Sequence, residues 1–372
     1  MKLTAVVKLL PDEIQTAQLY QTLERSNAAC NWISQQAWQA KTFNSVRLHH
    51  LVYYPVREQF QLSAQMVVRC IGKVSDAYKK DKRTRRQFKK HGAATYDSRI
   101  LRWYVDRRQV TLWTLDGRET LDFVGSEHHF QLLQYQQGES DLVLRKGKFY
   151  LYTTCEVPED TPLDVEGFLG VDLGVKNIAV DSDGAIHSAR HLLNVRHRHR
   201  RLRRKLQKKG TRSAKRRLKI LSGQERRFAR DVNHCISKQL VKIAKDTVRG
   251  IALEDLQGIR DRVTFPRKRR DQLHSWSFYQ LQSFIGYKAQ RFGIPVVKVD
   301  PRNTSRECSV CGCVDKRNRP NQATFSCIQC GFVSHADVNA AVNISVRGRA
   351  AVNPPYATLQ GECPEAVASS LL

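Results

Sequence analysis

Four cysteines constrain the fold of this chain more tightly than any other feature. Cys308 and Cys311 are followed, after fifteen residues, by Cys327 and Cys330. Two C-x2-C turns at this spacing each supply a pair of thiolates to one tetrahedron, the pattern of a four-thiolate zinc site. Residues 304–334 are therefore expected to form a small ribbon held together by one structural Zn²⁺. With four thiolates no coordination position is left for water, so the ion holds structure and does no chemistry. Cys313 is an alternative ligand, but its x4 spacing from Cys308 suits a zinc turn less well. The other five cysteines, Cys30, Cys70, Cys155, Cys235 and Cys363, are scattered and read as ordinary packing or surface thiols.

Charge indicates the partner. The chain carries 63 Lys and Arg against 35 Asp and Glu, a net charge of +28. Such an imbalance calls for a polyanion, and nucleic acid is the leading candidate. No apolar stretch approaches the ~20 residues that span a bilayer. The N-terminal "MKLTAVVKLLPDE" is broken by Lys8 and ended by Pro11-Asp12, unlike a signal peptide, so a cytosolic protein with reduced thiols is expected. Residues 196–230 hold 17 Lys and Arg and a single acid, Glu225. Two helices broken near Gly210-Thr211 would place Leu202 and Leu206 on one apolar stripe and Leu218 and Leu221 on another. A run of one sign repels itself unless a polyanion neutralises it, which sets this segment apart from an ordinary solvated face.

The organisation along the chain is readable. Residues 1–10 look like a strand, and helical texture follows from Pro11 through Trp38 and on to about Tyr78. From about residue 93 to 157 short alternating runs separated by turn signals indicate a small β domain, with Asp116-Gly117 as a hairpin turn. The β domain thus comprises 1–10 and 91–165, with 11–90 as a helical insertion. "PEDTPLD" at 158–164 reads as a linker. Residues 351–372 lose the basic character and any strong period, and a disordered tail is expected there.

Carboxylates stand out against this basic background. In "FLGVDLGVKNIAV" (168–180), strand alternation puts Leu169, Val171 and Leu173 on one face and Gly170, Asp172 and Gly174 on the other. In "RGIALEDLQG", Ile251 and Leu253 share one face while Ala252 and Glu254 share the other, which ranks Asp255 second. A third strand is expected in "IPVVKVD" at 294–300, after a helix from about Trp276 to Phe292 whose Trp276, Phe284 and Tyr287 read as core. In "SHADVNAAVNI", Ser334 can cap a helix and Asp337 falls in its first turn. Ala340, Ala341 and Ile344 make a small-residue face able to lie close on a sheet. One such acid is a cap or a dipole partner. Three, each at the edge of a compact element, suggest a site.

These motifs, "GVDLGVKNIAV", "ALEDL", "DPRNTSRECSVCG" with its ribbon, and "ADVNAAVNI", occur in the order seen in the TnpB family. The chain resembles these transposon-associated RNA-guided nucleases, relatives of type V CRISPR effectors, closely over 166–345 and more loosely over 1–165. The resemblance implies an α/β fold: an RNase H-like (RuvC-like) nuclease domain over 166–303 and 335–350 with an inserted zinc ribbon. An N-terminal β barrel carrying a helical recognition-like insertion would precede it. By motif the family's acidic triad falls on Asp172, Glu254 and Asp337. Two Mg²⁺ or Mn²⁺ ions, a structured guide RNA and a double-stranded DNA target are implied as cofactors and partners, with one protein copy per RNA and no membrane. A nuclease-silent RNA-guided regulator, an RNA-independent junction nuclease of RuvC type and a transposase are the rival readings.

Overall fold

The computed structural model describes residues 1–256 and 278–352. Trp276, Cys363 and residues 353–372 of the expected tail lie outside the described residues. The chain divides into two compact units, Met1–Pro158 and a second that begins at Glu159, so the division falls at the start of the expected linker.

The first unit is a seven-stranded antiparallel sheet with helices inserted after its first strand. In sequence, β1 (Lys2–Leu9) leads into α1 (Glu13–Gln39), α2 (Ser45–Phe60) and α3 (Ala64–Lys80). Then come β2 (Ala94–Tyr96), β3 (Leu101–Tyr104), β4 (Gln109–Thr114) and β5 (Gly117–Val124). A short helix α4 (Glu127–Leu133) precedes β6 (Gln136–Arg145) and β7 (Lys148–Glu156). The strand order is β2-β6-β7-β1-β5-β4-β3. Its two ends approach one another: Tyr96 Oη of β2 donates to the Trp113 carbonyl of β4 (3.1 Å), next to the edge strand β3. The sheet is thereby a nearly closed barrel. Asp12 starts α1 through a capping box, accepting from Gln15 N (2.8 Å) while Gln15 Oε1 accepts from Asp12 N (3.3 Å). A hairpin forms here, its turn one residue earlier than expected: Thr114 pairs with Gly117, so Leu115-Asp116 make the turn and Gly117, at φ 118°, opens β5.

The second unit is a five-stranded mixed sheet with helices on both faces. Its strands are β8 (Phe168–Asp172), β9 (Asn177–Asp181), β10 (Ile186–Ser188), β11 (Gly250–Glu254) and β12 (Val296–Val299), in the order β10-β9-β8-β11-β12. β8, β9 and β10 pair antiparallel, whereas β8, β11 and β12 run parallel. Helices α5 (Arg190–Lys209), α6 (Arg212–Asp246) and α7 (Phe278–Arg291) follow β10 and β11. Leu169 and Val171 join Ile251 and Leu253 in the core beneath α6 and α7. Phe168 and Ala252 meet Ile344 on the opposite face, beneath the last helix α8 (Ala336–Val352). The alternation read from the sequence therefore holds in both strands. Half-buried Phe284 of α7 lies flat on His234 of α6, ring centroids 4.0 Å apart, and Tyr287 is likewise half-buried.

Glycine sets how closely α8 can lie. A Cβ at Gly170 would come within 2.0 Å of the Ala341 carbonyl oxygen and 2.4 Å of Ser345 N. No side chain fits there, and Ser345 Oγ donates to Phe168 O (2.5 Å) across the same contact. The expected break in the basic segment is also present: Gly210 ends α5 in the left-handed region (φ 63°) and Thr211 caps α6 by accepting from Ala214 N. Glu225, the one acid of that run, pairs with Arg196 (3.5 Å) and Arg203 (3.3 Å) and so ties α6 to α5.

Candidate active site

Asp172 ends β8 and Glu254 ends β11, neighbouring parallel strands whose register pairs Leu253 with Val171. Both carboxylates leave the face that α8 covers, and Asp337 stands in the first turn of α8. The three acids from distant parts of the sequence therefore meet at one end of the sheet. Glu254 and Asp337 are buried, 8% and 9% exposed. Burial, then the charges of Glu254 and Asp337, push the Asp172 carboxyl up to about 8, against the opposing pull of Arg319. Burial also raises Glu254, while Thr304 and Arg347 act in the other direction.

Glu254 and Asp337 each have partners that fix them. Thr304 Oγ1 donates to Glu254 Oε1 (2.6 Å), and Gln282 of α7 donates to the Glu254 backbone carbonyl (2.8 Å). Arg319 bonds Asp337 Oδ1 (2.8 Å), and Asn177 Nδ2 donates to Asp337 Oδ2 (2.9 Å). The carboxylates face one another electrostatically, yet their oxygens do not all lie within 4.8 Å of one another as the four thiols do. Like charges account for this: Asp337 is turned toward Arg319 and Asn177. An all-oxygen donor set of this charge suits a hard divalent cation such as Mg²⁺ or Mn²⁺.

The helix start differs from expectation. Ser334 does not cap α8. It lies in β14 (Val333–His335), paired with β13 (Thr324–Ser326), and the Asp337 N–H instead donates to His335 Nδ1 (3.3 Å). The ribbon's last strand draws Ser334 into its ladder, and the helix begins at Ala336.

Cys308, Cys311, Cys327 and Cys330 place their sulfurs within 4.8 Å of one another. The Cys308–Cys330 and Cys311–Cys327 sulfurs are 3.7 and 3.5 Å apart. A tetrahedron with Zn–S bonds of ~2.3 Å has edges of about 3.8 Å, so these residues fit zinc. Two matching turns build the site. Gly312 and Gly331, at φ 73° and 72°, donate to the carbonyls of Cys308 and Cys327 (2.9 and 3.1 Å). Cys330 N–H donates to Cys327 Sγ (3.5 Å) and, foremost among several hydrogen bonds, pulls that thiol down to about 6. Cys313 stands outside the cluster; its carbonyl accepts from Cys308 N (2.9 Å), and its side chain packs against the ribbon's own core. Buried Asn318 joins the halves, donating to Arg306 O and Cys313 O (each 3.0 Å) and accepting from Ile328 N (3.0 Å).

Asn177, Thr304, Arg319 and Asn318 carry no sequence signal of their own. Asn177 and Thr304 fall inside the motifs "GVDLGVKN" and "DPRNTSRECSVCG", the only sign that they matter.

Fold and site together define an α/β protein in which a buried carboxylate cluster is braced by a four-cysteine ribbon. Residues 278–344 match the family described as "Cas12f1-like, TNB domain", and residues 152–259 the family described as "Probable transposase". A TnpB-like protein of Methanocaldococcus jannaschii is 34% identical over 196 residues, 49% of this chain and 69% of that protein. The chain belongs to the TnpB-like family. The CRISPR-associated endodeoxyribonuclease Cas12f1 of Sulfoacidibacillus thermotolerans is 34% identical over 235 residues, 57% of this chain and 54% of that one. A second Cas12f1, from Syntrophomonas palmitatica, is 32% identical over 254 residues, 62% of this chain and 50% of that one. The chain thus spans about half the length of the Cas12f1 relatives it matches. The fold is shared with Cas12f1 as determined by cryo-EM in a complex with sgRNA and target DNA: TM-score 0.60, 18% identity, 90% of this chain and 83% of that one.

Proposed function

We propose that the chain is an RNA-guided, divalent-metal-dependent DNA endonuclease, acting on double-stranded DNA where a guide matches beside a short motif. The observation that carries this reading is the meeting of Asp172, Glu254 and Asp337 on one face of the sheet, with Asp172 driven up to about 8 by burial and by the other two charges. So unfavourable a cluster of acids in a basic protein is what a cation-dependent phosphodiesterase requires. The strand order β10-β9-β8-β11-β12, with its first three strands antiparallel and its last three parallel, supports an RNase H-like assignment for this unit. The domain reading follows: barrel 1–10 and 91–165, helical insertion 11–90, nuclease 166–303 and 335–350, zinc ribbon 304–334.

Asp172, Glu254 and Asp337 would hold two Mg²⁺ or Mn²⁺ ions, and Cys308, Cys311, Cys327 and Cys330 one Zn²⁺. When bound, the divalent ions supply activation of water and stabilisation of the departing 3′ oxygen. The chain's own groups do the placing. Thr304 orients Glu254, Asn177 and Arg319 hold Asp337, and Arg319 brings positive charge beside the acidic cluster. The exposed arginines of α5 and α6 would carry guide RNA and DNA, one protein copy per RNA, in the cytosol of a prokaryote. Among the described residues no helix is long and apolar enough to cross a membrane.

The test is cleavage by the purified protein loaded with its co-purifying RNA, given matched DNA and Mg²⁺. Asp172→Ala, Glu254→Ala and Asp337→Ala should each lower cutting by about 1,000-fold or more, on the order expected when the group that stabilises transition-state charge is lost, with RNA affinity near wild type. Asp255→Ala should cut. Wild-type protein that binds guide and target but never cuts would favour the regulator, and joining of transposon ends would favour the transposase.

A further inference from the structure

The side chain of Glu254 is held by Thr304, which stands in a loop, and that loop is itself fastened to the last helix. Thr304 is buried, 2% exposed, fifty residues from Glu254 in sequence, with its Oγ1 2.6 Å from Glu254 Oε1 and 3.1 Å from Pro301 O. A hydroxyl has one proton, and a carboxylate at 2.6 Å draws it more strongly than a carbonyl at 3.1 Å.

The loop is held at three points by α8. Asn343 Nδ2 donates to Thr304 O (2.9 Å) and Glu307 O (2.8 Å), and Asn339 Nδ2 donates to Glu307 O (2.8 Å). Arg347 donates to the carbonyls of Asp300 (2.8 Å) and Arg302 (2.7 Å). Residues 339, 343 and 347 stand four apart and form one stripe of the helix. Asn303 takes a left-handed backbone (φ 59°), which asparagine tolerates, and its carbonyl accepts from Arg306 N and Glu307 N (2.8 and 2.9 Å). The loop's course is therefore set by the helix whose first turn carries Asp337.

We infer that Thr304 is a positioning residue: its hydroxyl, held to α8 through the 300–307 loop, fixes Glu254 Oε1 and so leaves Oε2 as the ligand oxygen for a divalent cation shared with Asp172 and Asp337. The inference rests on the proposed active site. It assigns the alignment of one carboxylate to a buried, uncharged side chain outside the cluster. A neutral donor suits this task, because a cation in its place would compete with the metal for the carboxylate, whereas a hydroxyl orients Glu254 without neutralising it.

Thr304→Val keeps shape and volume and removes only the donor, while Thr304→Ser restores it. The full-length protein is titrated with Mn²⁺ alone, free Mn²⁺ being read by electron paramagnetic resonance, and the binding lost in Asp172→Ala defines the site. Thr304→Val should weaken that binding about tenfold or more, the usual effect of removing a partner of a ligand. The Mg²⁺ concentration for half-maximal cutting should rise in parallel, the saturated rate falling less. Thr304→Ser should restore both, with zinc content and melting temperature at wild-type values throughout. Wild-type Mn²⁺ affinity in Thr304→Val would overturn the role given to Thr304 and leave the active site standing. Equal damage in Val and Ser variants, with zinc lost or melting lowered, would overturn it in favour of a packing role. Wild-type protein with no Mn²⁺ binding sensitive to Asp172→Ala would overturn the active-site reading and this inference with it.

Discussion

The carboxyl of Asp172 is ill at ease where it stands. Its affinity for a proton is raised in the folded state, to about 8 from an ordinary 3.8, first by burial and then by Glu254 and Asp337. The unfolded chain therefore loses this proton near pH 4 and the folded chain near pH 8. Between those values the folded state binds more protons, so stability falls as pH rises and levels off above about pH 8. Asp172→Asn removes the titration. In Mg²⁺-free buffer the variant should melt above wild type, and the gap should widen between about pH 5 and 8. A tenfold change in proton affinity is worth ~1.4 kcal/mol, and about 1 kcal/mol moves the melting temperature by ~2–4 °C at this size, so several degrees are expected by calorimetry near pH 8. A gap that stayed constant with pH would mean that the charge on Asp172 is not what strains the site. The position of Asp172 is legible because a strand has a period of two residues: with Leu169 and Val171 facing the core, Asp172 has only one face left. Glu254 follows by the same rule. Thr304, Arg319 and Asn177 are not legible, since they reach the acids across 50, 18 and 160 residues of chain and no local pattern encodes so distant a pairing.

Among the elements, the ribbon and α8 act as one brace. Arg319 leaves the end of a 3₁₀ turn (Lys316–Asn318) between the two cysteine pairs and reaches Asp337, while Ser309 N donates to Asn339 Oδ1 (3.0 Å). Zinc bound at the four cysteines would therefore bear on the acidic cluster without touching it. Cys327→Ser should release the metal and unfold the ribbon, because a structural zinc supplies ~10–16 kcal/mol to modules this small. Metal analysis should then find less than one zinc per chain, and cutting should fall as well, since Arg319 and the 300–307 loop lose their support. Wild-type protein containing no zinc, or full cutting by the zinc-free variant, would refute the coupling. The four-cysteine cluster is readable from spacing alone because a tetrahedron leaves few ways to arrange two short turns. The start of α8 departs from the sequence pattern for the opposite reason. Ser334 has the chemistry of a cap, but pairing of Thr324 with His335 extends the ribbon's ladder through it, and long-range pairing overrides a local preference.

Across the whole molecule the net charge of +28 is not spread evenly. The 17 Lys and Arg of residues 196–230 fall on two helices, and the one acid there is engaged inside the pair, holding α5 to α6 through Arg196 and Arg203. Arg201, Arg204, Arg216 and Arg217 lie on that hairpin outside this pairing, and all four are exposed. Cations in this setting repel one another, and bringing phosphates among them both relieves the repulsion and releases the counterions condensed on the nucleic acid. Arg203 is unsuitable for testing this, because its loss would also loosen the hairpin. Replacing Arg201, Arg204, Arg216 and Arg217 by Gln should weaken RNA or DNA binding by a similar factor for every sequence, since phosphate contacts position a duplex without reading it. The slope of log affinity against log salt should become shallower, by about 0.7–0.9 for each phosphate that is no longer neutralised. Helix content by circular dichroism should hold, because Arg196, Arg203 and Glu225 are untouched. The measurement is binding of one guide-matched and one scrambled duplex between ~50 and 200 mM salt, the range over which phosphate neutralisation dominates. An unchanged slope would show that the hairpin faces solvent and that the polyanion lies elsewhere. Weakening confined to the matched duplex would show that these arginines read sequence, contrary to the reading of the charge as a cradle for backbone.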